Sequence, residues 1–206
     1  MQQRRSNRER TDATRSALLR AARQLFVEQG YAETSTPALC AAAGITRGAL
    51  YHHFADKRDL FRAVVAHEAQ AVRDRIAAAA PDDLGPREAL LAGGDAYLDA
   101  MSEAGRTRLL LIDGPAVLGP AEIRDIDDAN AAATLVDGLA AAGLARHTAV
   151  APLASLLSAA FDRAALDIAA GRDAGGVRKT LRWLLQRVLG ERAGAPAASP
   201  PRRSRR

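Results

Sequence analysis

Between Thr34 and Lys57 the chain reads TSTPALCAAAGITRGALYHHFADK, which sets one arginine beside two residues of minimal bulk, Arg47-Gly48-Ala49. Small neighbours allow a backbone to approach a flat polar surface. The guanidinium can then donate two parallel hydrogen bonds to the edge of a guanine. Thr36, Tyr51, His52 and Lys57 add hydroxyl, imidazole and ammonium groups around that arginine. Lys57 adds its charge to the positive end of the helix it begins. Tyr51 has core packing as its alternative role. A metal site at His52-His53 is the other reading, but successive helical residues point about 100° apart and do not readily share one ion. No metal is expected.

Two short helices joined by a tight turn must hold these groups. Ser35 or Thr36 caps the first, and Pro37 fits its first turn, where a missing N–H costs nothing. Gly44 supplies the turn and Ile45 packs inward. Thr46 caps the second helix, 47–54. Leu39, Ala43, Ile45, Leu50 and Phe54 make the facing side, which leaves Arg47, Gly48, Ala49, His52 and His53 outward. Upstream, Thr11 or Asp12 starts a helix that Gly30 stops, with Leu18, Ala21, Ala22, Leu25 and Phe26 on its apolar face. Downstream, Asp56 caps a long helix over 57–80, with Leu60, Phe61, Val64, Val65, Val72 and Ile76 buried. This is the helix-turn-helix layout, whose second helix is offered to the major groove of DNA.

The remainder also reads as helix. Its breaks predict helices over 86–104, 107–112, 120–142, 150–170 and 176–189, with Gly114-Pro115 interrupting the second. Ala is abundant, and no alternating run of β-branched residues suggests a strand. The 206 residues are 48% hydrophobic and 26% charged, an ordinary globular balance for an all-α chain of about nine helices. Cys40, the lone cysteine, excludes an internal disulfide and a Cys-based zinc site; it reads as a small buried filler. No apolar run is long enough for a membrane span, and no signal peptide is evident, so a cytoplasmic location is expected.

Charge is unevenly placed. Residues 1–57 carry nine Arg/Lys against five Asp/Glu, residues 58–190 carry 15 against 18, and residues 191–206 carry five against one. A basic head and tail on a mildly acidic body suit contact with a polyanion, although terminal arginines can also merely solvate a chain. The divisions expected are a disordered basic arm over 1–10, a helix-turn-helix domain over 11–56, a helical body over 57–192 and a disordered basic tail from 193.

The stretch resembles the DNA-binding domain of the tetracycline-repressor (TetR) family of bacterial transcription regulators. The resemblance runs through Gly30-Tyr31, Thr34-Ser35, Leu39, Ala43-Gly44-Ile45-Thr46, Gly48, Leu50-Tyr51, His53-Phe54, Lys57 and Leu60, without a gap. The phrase LLLIDGPAVLG from Leu109 also looks like a branch of the family. Thr36-Pro37 departs from the more usual apolar-plus-charged pair, which puts a base contact from that helix in doubt. The resemblance implies base reading by Arg47, Gly48 and Ala49, and phosphate contacts by Thr36, Tyr51, His52 and Lys57. It implies a homodimer on palindromic double-stranded DNA, joined through the last two helices. Their wide stripes include Leu153, Leu156, Leu157 and Phe161, then Leu181, Leu184, Leu185 and Val188, with both faces packing as internal core as the alternative. It further implies a pocket for an unknown small-molecule effector, with Tyr97, Met101, Leu110, Asp113 and Phe161 as the expected lining; apolar walls with one or two polar anchors suit a greasy or weakly cationic ligand. Asp113 has the alternative of a solvated helix end.

No glycine-rich phosphate loop, activated nucleophile or polar carboxylate pair marks a catalytic site, and no cofactor is expected. A ligand-responsive repressor is the leading reading. An activator or ligand-independent regulator of the same fold is the alternative, and an all-α enzyme is the distant one.

Overall fold

Glycine, proline and side-chain caps divide the chain into helices whose apolar stripes meet in two cores. The computed structural model describes residues 7–81 and 83–190. Among these, every regular element is helical. The helix α1 (Asn7–Glu33) starts earlier than Thr11, so residues 7–10 are helical where a disordered arm was expected. Residues 1–6 and the expected tail from 193 lie outside the described residues. Gly30, at φ 81° and ψ 167°, breaks the helical course of α1 where the sequence predicts a stop.

Next come α2 (Thr36–Ala43), α3 (Arg47–His53) and the long α4 (Lys57–Ala79). Each is started by a side chain that accepts a hydrogen bond from a backbone N–H of the first turn. Ser35 takes it from Ala38, Thr46 from Ala49 and Asp56 from Asp59. Gly44 closes α2 in the left-handed conformation, at φ 65° and ψ 34°, which glycine adopts without penalty.

The body begins with α5 (Pro86–Met101). Then α6 (Arg106–Arg108) runs through a π-helical turn over Leu109–Asp113 into α7 (Gly114–Leu118). Gly114-Pro115 therefore does not end the helix as expected. The wider turn, in which Gly114 N–H donates to Leu109 O, accommodates the N–H that Pro115 lacks. The expected single helix over 120–142 is broken into α8 (Pro120–Asp128) and α9 (Ala131–Ala141). Asn130 leaves the helical region, and its amide donates to Ile126 O at 2.7 Å. Such local side-chain bonding competes with helix continuation. Last are α10 (Val150–Ala169) and α11 (Ala174–Val188).

One core belongs to the head: Leu18, Phe26, Leu39, Leu50, Phe61 and Val64 are all essentially inaccessible. Phe61 meets Phe26 and Tyr31 edge-on, with ring centroids 5.1 and 5.0 Å away. Leu109 and Leu118 from the body complete this core, so packing is continuous across residue 57. The second core gathers Val72 of α4 with apolar residues of α5, α9, α10 and α11. At about 1.5 Å per residue, α4 is a rod of about 35 Å shared by both cores. No described helix is long and apolar enough to cross a membrane.

Candidate nucleic-acid interface and effector cavity

Capping at Thr46 and burial of Leu50 and Phe54 fix the rotation of α3, and the opposite side is left to solvent. Arg47, Gly48 and His52 are exposed, Tyr51 is 42% exposed, and Ala49 and His53 are half-buried. The Arg47 guanidinium lies 5.5 Å from the Tyr51 ring centroid, a cation–π arrangement that pre-orients it over the exposed face. Thr36 is half-buried at the start of α2. The His52 and His53 rings stand edge-on at 5.4 Å. No described cluster of three or more His, Cys, Asp or Glu could hold a metal ion. Cys40 is buried in the head core.

Lys57, expected at a phosphate, has partners within the protein. Its Nζ donates to Tyr31 O at 2.9 Å, Thr34 O at 3.0 Å and Ala32 O at 3.5 Å, and sits 4.3 Å from the Tyr31 ring centroid. All three ammonium N–H groups have internal carbonyls to satisfy. The side chain therefore fastens the start of α4 to the end of α1. Thr34 reinforces the junction by donating to Gly30 O at 2.7 Å. Lys57→Ala is expected to cost about 1–2 kcal/mol of stability. The loss is read as a lower denaturation midpoint. An unchanged midpoint with uniformly weaker DNA binding would return the phosphate role to this residue.

Two charge networks tie the head to the body. Glu68 of α4, 3% exposed, receives Arg23 Nε at 2.9 Å and Arg23 Nη2 at 3.1 Å. It also receives Arg106 Nε at 2.9 Å. Burial pushes the Glu68 carboxyl up, but the arginine hydrogen bonds outweigh it and hold the carboxyl below its ordinary value. Nearer the start of α4, Glu122 of α8 bridges Arg58 and Arg62 of α4, with Arg58 Nη2 at 2.7 Å.

Between α4, α5, α8, α9 and α10 lies a cavity of about 500 Å³, walled by apolar residues that include Val65, Val72, Met101, Leu110 and Ile123. A smaller space of about 160 Å³ adjoins it, with Phe161 and Leu90 in its wall; Tyr97, Ala131 and Ser158 line both. The cavity thus collects Tyr97, Met101 and Leu110, and Phe161 borders the smaller space. Asp113 lines neither. Its carboxylate stands 3.2 Å from Arg108 Nε on the π-helical turn, so the anchor role expected for it is corrected to an ion pair.

The half-buried carboxylates that line the cavity are Asp127 and Asp162, beside the hydroxyls of Tyr97, Ser155 and Ser158 and the exposed Asp128 and Arg124. Tyr97 OH donates to Asp162 Oδ1 at 2.5 Å, and Ser158 Oγ to Asp127 Oδ2 at 3.4 Å. Burial raises both carboxyls, and Asp127, raised further by Asp162 and Asp128, is pushed up to about 6. Burial and then Asp162 push the Tyr97 phenol well above its ordinary value. The sequence held one signal for this pair. Asp162 and Ser158 sit one turn apart beside the Leu157–Phe161–Ala165 stripe, whereas Asp127 lies in an unpatterned acidic run.

A carboxyl raised on folding costs stability wherever it is ionised. Stability should therefore fall as pH rises from the ordinary carboxylate range to about 6. Asp127→Asn is accordingly expected to stabilise the unliganded protein by about 1–2 kcal/mol at pH 7.5 and to leave it unchanged at pH 4. Thermal melts at the two pH values check this; a destabilised variant at pH 7.5 would contradict the burial cost.

The expected dimer stripes divide in two. Leu157, Phe161, Leu181 and Leu185 are buried in their own protomer, which corrects their placement on a partner-facing surface. They fill the second core, so they have no face left to offer. Leu156 is 73% exposed, and Leu153, Leu184 and Val188 are half-buried. Trp183, not expected there, is 53% exposed under Arg187.

A family model described as bacterial regulatory proteins, tetR family, matches residues 18–64, and one described as tetracyclin repressor-like, C-terminal domain, matches residues 87–191. The chain is 44% identical over 52 residues to the HTH-type transcriptional repressor BepR of Brucella suis, a match covering 25% of each chain. It is 28% identical over 131 residues to the HTH-type transcriptional activator FasR of Mycolicibacterium smegmatis, covering 64% of this chain and 60% of that one. Among solved structures, a TetR-family transcriptional regulator from Pectobacterium atrosepticum superposes with a TM-score of 0.66 at 33% identity, covering 90% of this chain and 96% of that one.

Proposed function

The chain belongs to the tetR family of bacterial regulatory proteins, and from that membership we propose that it is a DNA-binding transcriptional repressor, acting as a homodimer on a palindromic operator and released by a small molecule. The exposed face of α3 carries the reading. Arg47, Gly48 and Ala49 are assigned to base edges, and Thr36, Tyr51 and His52 to phosphates, with Lys57 holding the junction beneath them. The half-exposed apolar face of α10 and α11, around Leu153, Leu156, Leu184 and Val188, is assigned to the dimer contact. A two-fold axis there sets two copies of α3 a fixed distance apart, as half-sites about one DNA turn apart require.

The effector acts through α4. Val65, Ala69 and Val72 of α4 line the cavity together with α8, and α8 is joined by Glu122 to the first turns of α4. A ligand that fits one spacing of the two heads better than another shifts operator affinity by that difference. No catalytic step is assigned, and the site of action is the cytoplasm, where the operator is.

Genomic fragments retained by the purified protein, sequenced and titrated with salt, test the proposal. Expected are a palindromic consensus, an affinity that falls steeply with salt, and a dimer mass by light scattering. Retention independent of sequence and salt, or a monomer mass at micromolar concentration, would refute it. FasR is named as an activator, so a reporter placed behind the recovered operator distinguishes the two outputs: repression lowers its expression and activation raises it.

A further inference from the structure

Several acids among the described residues are matched with bases. Glu68 has two arginines and Glu122 has two, while Asp95, Asp99, Asp113 and Asp167 each have at least one. Asp127 and Asp162, in the cavity wall, have no ion-pair partner among the described residues. Their partners are neutral: the Tyr97 hydroxyl for Asp162, and the Ser158 hydroxyl with the Ala132 backbone for Asp127. The other charged residues of the lining are Asp128 and Arg124, both exposed. From α4, α5 and α9 the lining presents no charged group, only apolar side chains and the Tyr97 phenol. A half-buried carboxylate without a counter-ion is costly, and one facing an apolar cavity of ligand size marks a site for what would neutralise it.

We propose that the effector is an organic cation with an apolar body, its ammonium seated between Asp127 and Asp162 and its body against the walls of the 500 Å³ cavity and the smaller space beyond Tyr97. This rests on the reading of the cavity as the effector site. An anion of the same shape meets the two carboxylates and is rejected, and a neutral analogue leaves them unpaired. Tyr97 is the positioning residue. Its hydroxyl orients Asp162, and its ring, edge-on to Phe161 at 5.6 Å, stands where both spaces meet.

The test is calorimetry on the full-length protein with three probes that share one body: 4-phenylbutylamine, 4-phenylbutan-1-ol and 4-phenylbutanoate. At pH 7.5 the amine is expected to bind at least about tenfold more tightly than the alcohol, the worth of one charge-assisted hydrogen bond, and the carboxylate not at all. Asp127→Asn and Asp162→Asn are each expected to remove about tenfold from the amine alone, in variants whose melts show them folded. Because Asp127 must be ionised, amine affinity should fall by about tenfold from pH 7.5 to pH 5. Equal affinity for the three probes, preference for the carboxylate, no binding of any, or a charge preference that survives both substitutions would each overturn the inference. Operator retention is measured separately. Retention with no amine binding refutes the cation and leaves the regulator standing, whereas charge-selective binding without operator retention supports the cation and refutes the regulator.

Discussion

Glu68→Ala is expected to lower the unfolding free energy by about 3–5 kcal/mol. The carboxylate sits on the apolar stripe of α4 between Val64, Val65 and Val72, and two guanidiniums converge on it from α1 and from the start of α6. Those arginines are themselves held by backbone carbonyls: Arg23 Nη2 by Ala104 O at 3.1 Å and Arg106 Nη1 by Ala100 O at 2.8 Å. Removing the acid leaves two positive charges facing each other at the seam between head and body, and Arg106 is the more deeply buried. Urea unfolding followed through Trp183, the protein's one tryptophan, reports the loss.

The pH dependence has a definite sign. The folded carboxyl is held below its ordinary value of 4.5, so its contribution is present above that value and is lost as pH falls through the folded one. The gap between wild type and Glu68→Ala should therefore narrow in acid. A loss under about 1 kcal/mol at pH 7 would mean that the seam is not held by this triad.

Arg47→Ala is expected to weaken binding to the cognate operator by about 1–3 kcal/mol in each half-site, and to relax preference at one base pair there. A dimer carries the exchange twice, so the complete operator loses about double. Arg47→Lys should not restore the preference, because an ammonium cannot make the two parallel hydrogen bonds of a guanidinium. The Tyr51 ring under Arg47 holds the guanidinium ready, so Tyr51→Ala should lose part of the same preference. Titration of the variants against operators substituted one base pair at a time reads all three effects. If Arg47→Ala weakens every sequence equally and lowers the salt slope by about one, Arg47 touches a phosphate and another residue of α3 reads the bases.

Where the physics is local, the sequence was legible. The caps at Ser35, Thr46 and Asp56, the glycine at position 44 and the apolar spacing around Leu39, Leu50 and Phe54 each act within one or two turns, and the helices start, stop and face where those residues require. The failures also have physical reasons. A proline normally ends a helix, but the π-helical turn before Pro115 absorbs its missing donor. The sequence from position 120 does not reveal that Asn130 would bond back to Ile126 and split the helix. A wide stripe on α10 or α11 shows that two faces are apolar without showing which belongs to the protomer. Leu157 and Leu185 went inward and Leu156 outward.

The sequence by itself determined an all-helical chain with a DNA-reading head, because helix propensity, capping and a 3.6-residue period are properties of neighbours along the chain. Only the tertiary structure decided which charges meet. Lys57 finds carbonyls 23 to 26 residues away, Glu68 finds Arg23 at a separation of 45, and Tyr97 finds Asp162 at 65. A charged side chain takes whatever partner lies within about 3 Å of it. Across such separations that distance is set by how whole helices pack, and no local pattern encodes it.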